Sequence, residues 1–98
     1  MYNLKLTDEA QSQIEAIFSN PAKKGLSKQL RKALKFLSNN PRHPSLQTHP
    51  LKGAVSYIGR KVFTSYVQNK TPRAYRILWT YGENETPIIL ILEVVPHY

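Results

Sequence analysis

One stretch of the chain, residues 24–37, constrains the fold most, because its apolar residues repeat at the period of a helix. These residues recur at i, i+4, i+7, i+8 and i+11, and they are Leu26, Leu30, Ala33, Leu34 and Leu37. That spacing places them on one face of an α-helix. The opposite face is basic, with Lys24, Lys28, Arg31, Lys32 and Lys35. Such a helix must pack its apolar face on another element, and the stretch from Ser38 to Pro41 ends it.

A first helix is predicted in "TDEAQSQIEAIF", with Thr7 as its N-cap and with Asp8 and Glu9 in the first turn, where the helix dipole favours acids. Its apolar face consists of Ala10, Ile14, Ile17 and Phe18. The segment from Ser19 to Pro21 ends it, so the two helices form a hairpin. Ahead of them, "YNLKL" alternates like a short, half-buried strand.

The second half of the chain is predicted to form β-strands. Residues 61–67, 73–81 and 87–95 are rich in Val, Ile, Phe, Tyr and Trp, and "GENET" joins the last two segments as a hairpin. The run "IILIL" is typical of a central strand that is buried on both faces. We therefore predict an α+β fold over one domain, residues 1–98, in which a short N-terminal strand and an αα-hairpin pack on a meandering antiparallel sheet.

Composition narrows the possible functions. The chain has 98 residues, a formal net charge of +8 and no cysteine, and it has neither a secretory signal nor an apolar run long enough to span a bilayer. We therefore expect a cytoplasmic protein without a membrane association. The charge predicts a polyanionic partner, either nucleic acid or an acidic protein, although a basic surface can also serve solubility alone.

The sequence offers cations, histidines and phenols for chemistry. It has no glycine-rich phosphate loop and no cysteine-based metal site, and its three histidines show no metal-ligand spacing. We therefore expect no cofactor and no metal. Cleavage of RNA by its own 2′-OH needs a base, an acid and a cation for the phosphorane charge, which histidine and arginine can supply. Arg73 and Arg76 lie in a strand segment, either as solvent-facing residues or as phosphate ligands.

The order of these segments resembles a known family. Two helices, the turn "HPLKG", a strand, "AYRILW", a polar hairpin, "IILILEVV" and a final "HY" are similar to the RelE/ParE superfamily of toxins from bacterial toxin–antitoxin systems, over nearly the whole chain. In the RelE branch, which includes YoeB-like and YafQ-like toxins, the resemblance implies a type II toxin that cleaves mRNA on the ribosome and inhibits translation. It also implies a cognate antitoxin as a partner.

The resemblance also implies site residues. Arg76 matches a phosphate-binding arginine of RelE-type enzymes, and His97 and Tyr98 resemble the terminal pair of YoeB-like toxins, an acid and a substrate-positioning group. His49 in "HPLKG" matches a YafQ-like histidine that suits a general base. RNA or phosphate contacts are expected from Lys52, Arg73 and Lys61. Ser45 stands near the place of the YoeB-like catalytic glutamate, and the paired lysines of RelE are not clearly present before Arg76.

Two other functions remain open at this point. A ParE-type toxin shares the fold but inhibits DNA gyrase without catalysis, and a weakly catalytic RNA-binding module would account for the missing glutamate. Strand pairing tests whether the expected site residues can meet. A tight turn at residues 83–85 predicts that Arg76 lies opposite about Ile91, which places Arg76 roughly 20 Å from His97. Either Pro96 ends the strand so that residues 96–98 bend back across the sheet, or the RNA substrate bridges groups that do not touch.

Overall fold

A computed structural model describes residues 1–51, 59–69, 73–82 and 87–96 of the chain. The elements follow the order β1 (Asn3–Leu6), α1 (Asp8–Phe18), α2 (Lys24–Asn39), β2 (His49–Pro50), β3 (Phe63–Tyr66), β4 (Tyr75–Tyr81) and β5 (Ile88–Pro96). Short 3₁₀ turns at Pro21–Lys23 and Pro44–Leu46 precede α2 and β2. The fold class is α+β, as predicted.

Both helices form for the reasons given by the sequence. The Thr7 hydroxyl accepts a hydrogen bond from the Ala10 N–H at 3.1 Å, which caps α1, and it donates to the Leu92 carbonyl of β5 at 2.8 Å. The apolar faces of α1 and α2 are buried together against Ile77, Trp79, Ile91 and Val94 of the sheet. The five cations of α2 remain exposed on the other side. No helix in the described part of the chain is long and apolar enough to span a membrane.

The sheet has five strands in the order β1-β5-β4-β3-β2. The strands β2, β3, β4 and β5 pair antiparallel in sequence, whereas β1 pairs parallel to β5, so the sheet is mixed. Although β5 is an interior strand, only alternate residues of it are fully buried. The expectation that it is buried on both faces was therefore wrong, because the helices cover one face only.

The register between β4 and β5 also differs from the expected one. Arg76 lies opposite Val95, and Tyr75 lies opposite Pro96, so the true partner of Arg76 is four residues further along β5 than predicted. Two causes add up. The hairpin pairs Tyr81 with Ile89, three residues further along the chain than the predicted turn would allow, and a β-bulge beside Leu78 and Trp79 adds Leu92 to β5. Pro96, the last described residue of β5, lies opposite Tyr75, whereas residues 97 and 98, on which the predicted bend depends, lie outside the described residues.

Candidate functional site

A row of side chains crosses the sheet on the face turned away from the helices, which we call the outer face. Tyr66 of β3 lies opposite Arg76 of β4, and Arg76 lies opposite Val95 of β5. Directly opposed residues of adjacent strands share a face, and residues two apart on one strand do as well. Because His49 of β2 lies opposite Thr64, it also belongs to the outer face, diagonal to Tyr66.

Arg76 is held by the tyrosine beside it. Its guanidinium carbon lies 4.4 Å from the centroid of the Tyr66 ring, and its Nη2 donates to the Tyr66 hydroxyl at 3.1 Å. The Nε–H is buried without a hydrogen-bond partner among the described residues. Among the described residues no carboxylate contacts Arg76, and the N–H groups of Nη1 take part in no described hydrogen bond.

His49 contacts the same tyrosine from the other side. The two ring centroids are 6.0 Å apart and the rings meet at 66°. Because β3 lies between β2 and β4, Tyr66 lies between His49 and Arg76. The Nδ1 of His49 lies 2.8 Å from the Gln47 carbonyl oxygen. A carbonyl can only accept, so Nδ1 carries the hydrogen, and the neutral ring presents the lone pair of Nε2. The side chain is exposed, so that lone pair can accept a proton from a ligand.

A directed chain of hydrogen bonds fixes the backbone next to His49. The Thr48 hydroxyl donates to the Pro41 carbonyl at 2.7 Å, so its 2.7 Å bond with the Ser65 hydroxyl must have Ser65 as the donor. The Ser65 oxygen in turn accepts from the Trp79 indole N–H at 2.8 Å. Thr48 therefore turns towards the core, and alternation along the extended chain turns His49 to the outer face.

The other histidine of this loop is built differently. His43 stacks on Phe36 with centroids 3.9 Å apart, and its Nδ1 accepts from the Ser45 backbone N–H at 3.1 Å. Its hydrogen is therefore on Nε2, the opposite tautomer from that of His49. His43 closes the 3₁₀ turn, and Ser45, which the sequence comparison placed near the YoeB-like glutamate, is part of the same turn.

Of the other site residues expected from the sequence, the structure describes Arg73 and Lys61, and no described contact joins either of them to this cluster. Arg73 is exposed just before β4. Lys61 is exposed near the other end of β4, where its carbonyl accepts from the Thr80 hydroxyl at 2.8 Å, about 13 Å along the strand from Arg76. Lys52, His97 and Tyr98 lie outside the described residues. Pro96, which precedes His97, is opposite Tyr75 and is therefore adjacent to the row that contains Arg76.

Sequence reasoning missed Tyr66, although it contacts both residues of this cluster. Tyrosine is common in strands, so its presence in "FTSY" carries no functional signal. Only the pairing of Tyr66 with Arg76, which the strand register determines, could reveal it. In the described part of the chain, no group of three His, Cys, Asp or Glu residues is placed to hold a metal ion.

The comparisons with known proteins rest on structure alone. No family model matches the chain, and no curated protein is significantly similar in sequence. Among solved structures, YafQ from E. coli superposes with a TM-score of 0.66 at 11% identity, over 99% of this chain and 94% of that one. The chain has the YafQ fold.

Two further structures give the same result. A histidine-to-glutamine variant of E. coli YafQ matches with a TM-score of 0.66 at 12% identity, over 99% of this chain and 94% of that one. The E. coli DinJ–YafQ toxin–antitoxin complex matches with a TM-score of 0.67 at 12% identity, over 98% and 92% of the two chains. The YafQ fold spans both halves of this chain, which confirms at the level of fold the resemblance to RelE-like toxins.

Proposed function

We propose that this chain is the toxin of a type II toxin–antitoxin system and that it cleaves mRNA on the ribosome, as the RelE branch does. The observation that carries the proposal is the cluster of His49, Tyr66 and Arg76 on the outer face. It combines a proton acceptor with a cation that has no carboxylate partner among the described residues. A protein that only binds gyrase has no need of that combination.

Arg76 supplies the electrostatic part of the reaction. Its contacts with Tyr66 fix the guanidinium before the substrate arrives, and the free N–H groups form a fork that matches two phosphate oxygens. Negative charge grows on those oxygens as the phosphorane forms. A preorganised cation stabilises this transition state more than the ground state, which is the requirement for catalysis.

His49 supplies the base. Its Nε2 takes the proton of the 2′-OH, and the 2′-oxygen attacks the adjacent phosphorus while the bond to the 5′-oxygen breaks. The products are a 2′,3′-cyclic phosphate and a 5′-hydroxyl end, and the leaving oxygen takes up a proton. We assign that proton to His97 and the positioning of the substrate to Tyr98, since Pro96 ends beside the row that contains Arg76.

The antitoxin is the second part of the proposal. The YafQ fold occurs in a toxin–antitoxin complex with DinJ, and a net charge of +8 suits a partner that carries acidic residues. The cheapest evidence is genomic, because a small reading frame beside this gene that encodes an antitoxin would place the pair in this class. Co-expression of that frame should then restore growth.

Primer extension on mRNA after brief expression tests the activity. We expect cuts in phase with codons that depend on translation, and we expect Arg76→Ala, His49→Ala and His97→Ala each to reduce them by about 100-fold or more. Arg31→Ala is the matched control for Arg76→Ala. It removes the same charge from α2, where Arg31 stacks on Phe18 at 4.4 Å on the helical side of the molecule.

Two results would contradict the proposal. Growth arrest with intact mRNA and trapped DNA breaks would assign the chain to gyrase inhibition instead. Undiminished cutting by Arg76→Ala, in a variant whose circular dichroism matches that of the wild type, would remove the outer-face cluster from the reaction.

A further inference from the structure

Gln47 has an unusual backbone conformation. Its φ of 47° and ψ of 43° lie in the left-handed region, and no other non-glycine residue in the described part of the chain has a positive φ. Such residues seldom adopt this conformation, because Cβ comes close to the following carbonyl oxygen. Strained backbone of this kind persists where the surrounding structure requires it, commonly at functional sites. Gln47 lies two residues before His49, the proposed base.

Contacts on both sides of Gln47 hold this conformation. Its N–H donates to the Pro44 carbonyl at 3.2 Å, which closes the 3₁₀ turn. The residue before it, Leu46, is fully buried, and the residue after it, Thr48, donates to the Pro41 carbonyl at 2.7 Å. Gln47 connects the 3₁₀ turn to β2, and the left-handed conformation makes that connection between two fixed neighbours.

The side chain of Gln47 gives no reason for this conformation. It is exposed, and its one described hydrogen bond, from Nε2 to Asn69 Oδ1, is long at 3.4 Å. The short contact belongs to the backbone carbonyl, which lies 2.8 Å from the Nδ1 of His49. In an extended strand the carbonyls lie in the plane of the sheet and the side chains stand perpendicular to it. The left-handed turn is therefore what brings the carbonyl of one residue to the side chain two residues later.

We propose that Gln47 is a positioning residue for His49, whose left-handed backbone places a carbonyl where it fixes the tautomer and the orientation of the imidazole. This inference rests on the proposed function, in which Nε2 of His49 takes the 2′-OH proton. Only the neutral ring with its hydrogen on Nδ1 has a lone pair on Nε2, and the hydrogen bond made by one ring nitrogen decides which nitrogen carries the hydrogen. When Nε2 takes up the proton, the same carbonyl stabilises the positive ring through a charge-assisted hydrogen bond.

Two substitutions of Gln47 separate the effect of its backbone from that of its side chain. Gln47→Gly removes the side chain but adopts a positive φ without a clash, so the carbonyl should stay against Nδ1 of His49. Gln47→Val introduces a β-branched residue, which strongly disfavours a positive φ, so the carbonyl should move away. Gln11→Val is the matched control, because it makes the same change at an exposed residue of α1 whose described hydrogen bond goes to Glu15.

Long-range ¹H–¹⁵N nuclear magnetic resonance on the full-length chain with ¹⁵N-labelled histidine measures the tautomer, at a pH where the rings are neutral. In the wild type and in Gln47→Gly we expect His49 to carry its hydrogen on Nδ1. In Gln47→Val we expect the tautomer with hydrogen on Nε2 to become at least several-fold more populated. His43 is an internal reference, because its Nδ1 accepts from the Ser45 N–H, and its Nε2–H tautomer should not change in any variant.

The rate of mRNA cleavage should follow the tautomer of His49. We expect Gln47→Val to lower kcat about tenfold, since less of the base is in the active form and its direction is no longer fixed. KM should change little, because the phosphate contacts of Arg76 remain. Gln47→Gly and Gln11→Val should both stay within about twofold of the wild-type rate.

Two results would overturn the role of Gln47: an unchanged His49 tautomer in Gln47→Val, or loss of the Nδ1–H tautomer in Gln47→Gly. Either result would leave the nuclease proposal standing if codon-phased cuts still depend on His49. A changed tautomer with undiminished cleavage would instead support the control of the ring by Gln47 and refute His49 as the base. Should Gln47→Val not fold, as judged by circular dichroism, Gln47→Gly still decides whether the backbone or the side chain holds the carbonyl.

Discussion

Tyr66 lies between the two groups that we assign to the chemistry, and it serves Arg76 in two ways. Its ring lies under the guanidinium at 4.4 Å, and its hydroxyl accepts from Nη2 at 3.1 Å. The ring contact restricts where the guanidinium can move, and the hydrogen bond fixes its rotation. A phosphate then meets a cation that is already oriented.

Tyr66→Phe separates these two contributions. It keeps the ring and removes one hydrogen bond, so we expect the rate of mRNA cleavage to fall about five- to tenfold. The free energy of urea unfolding should change by no more than about 1.5 kcal/mol. Tyr75→Phe is the control, because the Tyr75 hydroxyl contacts Lys23 at 3.2 Å on the helical side. A larger loss of rate in the control than in Tyr66→Phe would contradict this assignment.

Alanine substitutions of the two histidines before β3 should have opposite effects on cleavage and on stability. His49 is exposed and its ring packs only edgewise on Tyr66, so His49→Ala should reduce cleavage strongly, by about 100-fold or more, with little change in stability. His43 stacks on Phe36 and closes a turn, so His43→Ala should cost about 1 kcal/mol or more of unfolding free energy and leave cleavage nearly intact. Cleavage rates and urea unfolding of both variants check these expectations. If both variants lost mainly activity, or both lost mainly stability, the assignment of His49 to catalysis and of His43 to folding would be refuted.

At the scale of elements, the two-residue strand β2 depends on the hydrogen-bond chain that runs from Trp79 through Ser65 to Thr48. Ser65 and Trp79 are fully buried, so every polar atom of this chain needs its partner. The chain starts in the core and ends at the residue before His49. It therefore connects the packing of the sheet to the position of the proposed base.

Thr48→Val tests that connection, because it keeps the shape of the side chain and removes its hydroxyl. We expect cleavage to fall about tenfold or more, since the backbone at His49 loses its anchor, and Thr48→Ser should restore it. Ser65→Ala should cost about 1–3 kcal/mol of unfolding free energy, because the buried indole N–H of Trp79 loses its acceptor. Full activity of Thr48→Val would show that β2 is held by other contacts.

The helices, the longer strands and the antiparallel hairpin of β4 and β5 could be predicted, whereas the two-residue strand β2 and the register of that hairpin could not. Helical periodicity, the Thr7 cap and the β-branched runs are local signals, and each produced the expected helix or strand. The register of β4 and β5 depends on a bulge at Leu92 and on where the hairpin starts to pair. The local sequence predicts neither of these features. An error of four residues moved the predicted partner of Arg76 from Val95 to about Ile91, and Tyr66 escaped notice because its significance depends on register alone.

At the scale of the whole molecule, charge is divided between the surfaces. The exposed cations of α2 lie on the helical side, whereas Arg76 lies on the outer face of the sheet. A net charge of +8 alone would attract RNA to any of these surfaces. The number of phosphates that a given cation neutralises can be measured, because each contact releases counterions from the RNA.

The salt dependence of RNA binding therefore distinguishes a phosphate contact of Arg76 from the general attraction of RNA to a basic protein. For single-stranded RNA the slope of log K against log salt is about −0.7 for each neutralised phosphate. We expect Arg76→Ala to make the slope shallower by about 0.7, measured by fluorescence anisotropy on a short RNA with a deoxy substitution at the cut. Arg31→Ala, with the same loss of charge on α2, should leave the slope unchanged. Equal changes in both variants would mean that RNA binds without regard to the outer face, and Arg76 would then be one basic residue among many.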